Sequence, residues 1–155
     1  MKKCIMGMLA ATALSAGSAI RHEAVAQQAA ARWIVIDSTT DYVLSVDRSS
    51  VRAVAGAQRE VWFRRLFSKT QSETNADGAK VQFVREAWLY RLDCAGRRIS
   101  HRQRILYAST GSPVRTVDFN DPMFAGDHVA DMKLVAPETG AERILTGGCA
   151  LKLLE

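Results

Sequence analysis

Residues 83–107, FVREAWLYRLDCAGRRISHRQRILY, constrain the fold more than any other stretch. Apolar and polar side chains alternate on both sides of Ala95-Gly96, which reads as two long β-strands joined by a tight turn. A two-residue loop there, with Gly96 at positive φ, sets Cys94 opposite Arg97, Asp93 opposite Arg98, Leu92 opposite Ile99 and Tyr90 opposite His101. Period two then places Val84, Trp88, Tyr90, Leu92, Cys94, Ile99, Ile105 and Tyr107 on one face, which is a core. Asp93 with Arg98 and Leu89 with Arg102 fall on the other. Cys94 closes the apolar face, so its bonding partner must lie across the sheet and cover it.

The identity of that partner depends on the first residues. Lys2 and Lys3, a small-residue apolar run over residues 4–20, and Ala24-Val25-Ala26 before Gln27 have the order of a secretory signal. The run is too short and too poor in large side chains for a membrane span. Residues 1–26 are therefore expected to be a signal peptide for the Sec pathway, and 27–155 a single domain, periplasmic or secreted. Cys4 precedes the apolar run rather than following it, so lipidation is not expected. Its loss leaves Cys94 and Cys149, and an even pair in an oxidising compartment is expected to form one disulfide. The chain-entropy account assigns such a bridge about 4 kcal/mol. Ligation of a metal by the pair is the alternative, and no C-x-x-C supports it.

The remaining segments supply a sheet and a helix. Residues 32–37 read as strand one and residues 42–47 as strand two, followed by an Asp47-Arg48-Ser49-Ser50 turn. Residues 58–68 make strand three and residues 114–119 a sixth strand, while 123–135 are irregular. Residues 69–80 contain no large apolar side chain and include Asp77-Gly78, so they are expected to be an exposed binding loop. Its candidate contact residues are Lys69, Gln71, Glu73, Asn75, Asp77 and Lys80. Thr139-Gly140-Ala141-Glu142 has capping-box spacing after Pro137, so a helix starts there. Ala141, Ile144, Leu145 and Gly148 then share one stripe with Cys149 beside it. The expected fold is α+β, a six-stranded antiparallel bent sheet with a C-terminal helix bound to one face by the disulfide.

Charge and catalytic motifs exclude more than they assign. Lys2, Lys3, Arg21 and Glu23 precede Gln27, so the +5 of the whole chain becomes +3, too mild for a nucleic-acid partner. Arg98, Arg102 and Arg104 share the solvent face of one strand, where charge keeps an edge soluble, and no aromatic residue interleaves with them. His101 and His128 are the histidines after Gln27, and His101 is expected in the core beside Tyr90. No G-x-S-x-G elbow or phosphate-binding glycine loop occurs. Asp127, His128 and Asp131 could gather zinc or manganese, but such clusters also arise in solvated loops; Asp118 and Asp121 read as turn formers.

Trp33, the Asp47 to Ser50 turn, Trp62 in strand three, Asp93-Cys94 and a Pro137-x-x-x-x-Glu142 helix ending in Cys149 together resemble the surface-adhesin protein E-like family. The resemblance spans residues 33–151. It implies a bent antiparallel sheet with a C-terminal helix tethered by a disulfide. The family's namesake is an outer-membrane lipoprotein that binds host matrix and serum proteins; this chain differs in having no cysteine placed to carry lipid. The function expected is that of a non-catalytic exported envelope protein, an adhesin-like protein-binding module without cofactor or metal. Its partner is expected to be a protein, pairing of two copies included. The alternatives are a structural periplasmic protein of envelope assembly and a metal-dependent hydrolase at Asp127, His128 and Asp131.

Overall fold

A computed structural model describes residues 32–54, 56–75, 77–121 and 131–152. The expected signal segment lies outside them. Eight strands are present among the described residues: β1 (Trp33–Ser38), β2 (Tyr42–Asp47), β3 (Arg52–Ala53), β4 (Gln58–Thr74), β5 (Lys80–Asp93), β6 (Arg98–Tyr107), β7 (Pro113–Asp118) and β8 (Lys133–Leu134). One helix, α1 (Gly140–Cys149), follows. All pairings are antiparallel, and the main path runs β1-β2-β4-β5-β6-β7. The six expected strands form this path. The count is eight rather than six because β3 and β8, two residues each, add to β4 and β6. Such short segments carry no periodicity to read.

The central hairpin keeps the expected register at its turn end: Asp93 pairs with Arg98, Leu92 with Ile99 and Tyr90 with His101. Two details differ. The turn is four residues, 94–97, and Arg97 rather than Gly96 takes positive φ, at 51°. Gly96 is required for a different reason. Its N–H donates to Asp93 Oδ1 at 2.8 Å, and a Cβ there would meet Asp93 Oδ2 at 2.3 Å.

The second difference is a bulge. Beyond Tyr90 the partner of Leu89 is Gln103, not Arg102, so Arg102 is the extra residue and every later side chain of β6 changes face. Leu106 is thereby 1% exposed in the core, while Ile105 and Tyr107 line the opposite face with Trp33 and Ala87. The expectation that Ile105 and Tyr107 share the core with Leu92 is corrected on this ground.

The core forms where α1 meets that face. Val46, Val61, Phe63 and Leu92 lie under Ile144 and Leu145, with Cys94 and Cys149 packed at the margin. Phe63 and Tyr90 meet edge to face at 5.5 Å, a geometry favoured by the ring quadrupoles. The helix approaches closely because Gly148 faces the sheet: a Cβ there would lie 2.4 Å from Leu92 Cδ1. At its start, Thr139 Oγ1 accepts from Glu142 N at 3.2 Å, as a capping box requires. The reciprocal bond goes to Glu138 N rather than Thr139 N, at 2.6 Å, and Glu142 also pairs with Arg97 at 2.6 Å.

The cysteines meet as expected. Cys94 and Cys149 are bonded, with Cα atoms 5.8 Å apart. On the other side of the helix a bulge at Ile36 turns two successive β1 residues toward it. Ile36 contacts Gly147, and Asp37 binds Arg143 and the Tyr42 hydroxyl.

Candidate functional site

The segment expected to be a binding loop is instead a strand pair. Lys69, Gln71 and Glu73 lie in β4 and Lys80 opens β5, so the turn is confined to residues 75–79. Gln71 pairs with Phe83, Ser72 with Gln82, Glu73 with Val81 and Thr74 with Lys80. A polar ribbon needs no large apolar residue when it has no core to cover. Its hydrogen bonds are made within the pair, and Gly78, at φ 83°, closes the turn. A register shift separates this ribbon from the rest: Leu66 faces Arg85 and Gln71 faces Phe83, leaving the intervening residues of β4 bulged.

The ribbon also outruns its neighbours. Pairing of β2 with β4 ends at Phe67, and pairing of β6 with β5 ends at Arg85. Beyond those points, among the described residues, β4 and β5 have only each other in the ladder. A two-stranded ribbon alone is marginal in water, and side chains anchor it along its length. Glu73 accepts from Arg104 at 2.7 Å and from Arg115 at 2.6 Å, and Phe83 packs edge-on to Phe67 at 5.7 Å. Arg104 continues to Glu86 at 2.8 Å, which also holds Arg65 at 2.8 Å.

These contacts sort the candidate residues. Glu73 is engaged by two arginines and is structural. Gln71 donates to the Lys69 carbonyl at 2.9 Å, and Asp77 Oδ1 accepts from Ala79 N at 3.1 Å. Asn75 receives the turn's backbone bonds, its N–H donating to the Ala79 carbonyl at 2.8 Å. Lys69, Asp77 and Lys80 are exposed. Gln71, Glu73 and Asn75 are half-buried.

The other candidates separate as follows. His101 sits among Tyr90, Trp88 and Phe119, with ring centroids at 4.8, 4.9 and 5.9 Å. Burial pushes its pKa down, helped by Lys133 and Arg104, so the neutral form is favoured. Asp118 forms a turn, its Oδ1 accepting from Asn120 N at 2.9 Å and Nδ2 at 2.7 Å. Asp127 and His128 lie outside the described residues; Asp131 is described and exposed, and it has an interaction partner.

Sequence reasoning missed the charged clusters on the face opposite α1. Glu60, 4% exposed, binds Arg52 and Arg91, with Arg102 Nε 3.7 Å away. Burial raises its pKa, but hydrogen bonds from Arg91 and Arg52 outweigh this and hold the carboxyl below the usual range. Asp47, 1% exposed, accepts from Arg32 Nε at 2.9 Å, Ser49 Oγ at 2.6 Å and Ser49 N at 3.0 Å. Ser50 then links this turn to β4, its Oγ accepting from Trp62 N at 2.9 Å. The Asp47 to Ser50 motif is thus a brace between β2 and β4.

The family sequence model described as Surface-adhesin protein E matches residues 33–150. The chain belongs to this family. The matched span includes Trp33, the Asp47 to Ser50 brace, the β4–β5 ribbon and both bonded cysteines, and it makes the chain a surface-adhesin-like protein. No curated protein matches the chain, and no solved structure does. Among the described residues no helix is long and apolar enough to cross a membrane.

Proposed function

We propose that the chain is an exported, non-catalytic protein of the cell envelope that binds another protein through the tip and edges of the β4–β5 ribbon. The observation that carries this reading is the ribbon itself. Past Phe67 and Arg85 its strands lack outer partners in the ladder among the described residues, so their outward N–H and C=O groups are available to an incoming strand. Lys69, Asp77 and Lys80 offer charge of both signs beside it. Adhesin-family membership supports a binding role over a catalytic one.

The test is capture. The protein with its native cysteines is immobilised and exposed to serum and to envelope extract, beside a variant carrying Lys69→Ala, Asp77→Ala and Lys80→Ala. The expected result is a partner retained by the first and lost from the second, both melting alike. Capture unaffected by the triple substitution would refute the ribbon as the contact surface. Fractionation of cells making the protein tests export, which requires a product cleaved before Gln27.

A second reading has its own observation. The outer strands of the main path expose Val35 and Val114, at 46% and 41%, along open edges. Edges of this kind pair with a second copy, which would give a self-associating envelope component. Sedimentation at increasing protein concentration separates the two readings: dimers abolished by Val35→Lys favour the second.

A further inference from the structure

The face opposite α1 holds a trough in which two arginines, Arg64 and Arg85, form no salt bridge with a carboxylate of the described residues. It crosses four strands: Ser45, Arg64, Ala87 and Ile105 are neighbours across β2, β4, β5 and β6. Trp33 rises on one side and Tyr107 on the other. Two cavities of about 160 and 190 Å³ share Trp33, Ala87 and Tyr107 and so form one groove. Arg64 and Arg85 line the first, while Trp62, Ile105 and the Arg32–Asp47 ion pair line the second.

The arginines here differ from their neighbours. Arg52, Arg91 and Arg102 gather around Glu60, and Arg32 is bound to Asp47. Among the described residues no carboxylate forms a salt bridge with Arg64 or Arg85. Arg64 Nε is buried with no hydrogen-bond partner, an arrangement that ordinarily costs stability. Its guanidinium lies 4.3 Å from the Trp33 ring centre, and that of Arg85 lies 4.1 Å from the Tyr107 centre. Aromatic faces thus hold both cations in place, Arg85 Nη2 also donating to the Gly111 carbonyl at 3.5 Å, while other N–H groups are left for a ligand. Burial, and then the charge of Arg85, push the Arg64 pKa down, which records the two cations acting on each other.

We propose that this trough binds a single carboxylate, carried by an acidic side chain of a partner polypeptide, between the guanidinium groups of Arg64 and Arg85. A carboxylate suits the site because an arginine fork donates two N–H bonds to it, and its arrival removes the repulsion between the two cations. The neighbouring arginines already have carboxylates, so a polyanion would find no continuous basic track. In the other half of the groove Trp62 and Ile105 stand beside the mutually paired Arg32 and Asp47, and the two apolar side chains accept an aliphatic side chain beside the acidic one. This surface is distinct from the β4–β5 ribbon, and its occupation does not depend on Lys69, Asp77 or Lys80.

The experiment follows the Arg64 Nε–H and Trp33 indole N–H resonances of the oxidised protein. The probes are a capped tripeptide with glutamate between two leucines, its glutamine twin, inorganic phosphate and a sulfated disaccharide. Saturable shifts are expected with the glutamate peptide, with the glutamine twin at least about tenfold weaker, as loss of a charge-assisted hydrogen bond predicts. Arg64→Gln with Arg85→Gln is expected to abolish the response, while the ribbon triple variant keeps it. No saturable shift, equal response to both peptides, or tighter binding of phosphate or the disaccharide overturns the proposal. The peptide comparison uses the unmodified chain, so it decides the matter even where the double variant does not fold.

Discussion

Adding one methyl group at Gly148 tests how α1 is held. Alanine is favoured over glycine inside a helix by about 1 kcal/mol, so propensity alone predicts that Gly148→Ala stabilises. The packing predicts the reverse. The new Cβ would lie 2.4 Å from Leu92 Cδ1, 3.1 Å from Phe63 Cζ and 3.2 Å from Val61 Cγ1. Leu92 and Val61 are fully buried and Phe63 is 1% exposed, so none has room to withdraw. The helix must lift, while the Cys94–Cys149 bond resists displacement at the adjoining residue. Overpacking of this kind costs about 1–3 kcal/mol, and the propensity gain is reduced one residue from the helix end. A net loss of about 1–2 kcal/mol is expected, or a Tm lower by about 4–8 °C for a domain of this size. Gly140→Ala is the control. Nothing lies within 4 Å of its Cβ position, so the expected change is zero to a small gain. Thermal and urea unfolding of the two variants, with the disulfide intact, provide the measurement. A Gly148→Ala protein as stable as the parent would refute the close docking of helix on sheet.

Cys149→Ser is expected to cost about 4 kcal/mol, within the range for bridges of this span, and to free α1 while far-ultraviolet dichroism retains the sheet; melting unaffected by reductant would contradict it. Glu60→Gln leaves Arg52, Arg91 and Arg102 around a neutral group and is expected to cost about 1–3 kcal/mol at pH 7. Because the Glu60 carboxyl is depressed in the folded protein, its contribution is present above the unfolded value and lost as pH falls through the folded one. Stability measured from pH 6 downward should therefore decline less in Glu60→Gln than in the parent, and parallel declines would refute the pairing. His101 has the opposite charge type. Its depressed pKa means that stability falls as pH drops from about 6.5 toward the folded value. His101→Phe should flatten that step in urea midpoints taken at pH 7.5 and 5, and an undiminished step would assign it elsewhere.

Side-chain chemistry made some parts of this structure readable. The pairing of Leu92 with Ile99, the Thr139 cap and the stripe of Ile144, Leu145 and Gly148 all follow from local periodicity and composition. The two cysteines then place the helix. What escaped was backbone geometry. The bulge at Arg102 has no side-chain signature, yet it reverses Ile105 and Tyr107, so period-two reasoning holds only as far as the nearest bulge. The ribbon was misread because polarity marks solvent exposure, and exposure is common to loops and to strands that cover nothing. The trough was invisible for a third reason. Trp33, Arg64, Arg85 and Tyr107 come from four strands, and no sequence spacing connects them.

The ribbon has a practical consequence as well. Its tip, at Asp77 and Gly78, lies past the last strand neighbour and the last anchoring carboxylate, Glu73. Lengthening a turn costs only about 0.6 kcal/mol for each doubling, because closure entropy grows with the logarithm of length. An epitope spliced between those two residues would therefore leave the core and the cysteine bond as they are. Such a tagged chain would let an antibody applied to intact cells read whether the tip faces the medium.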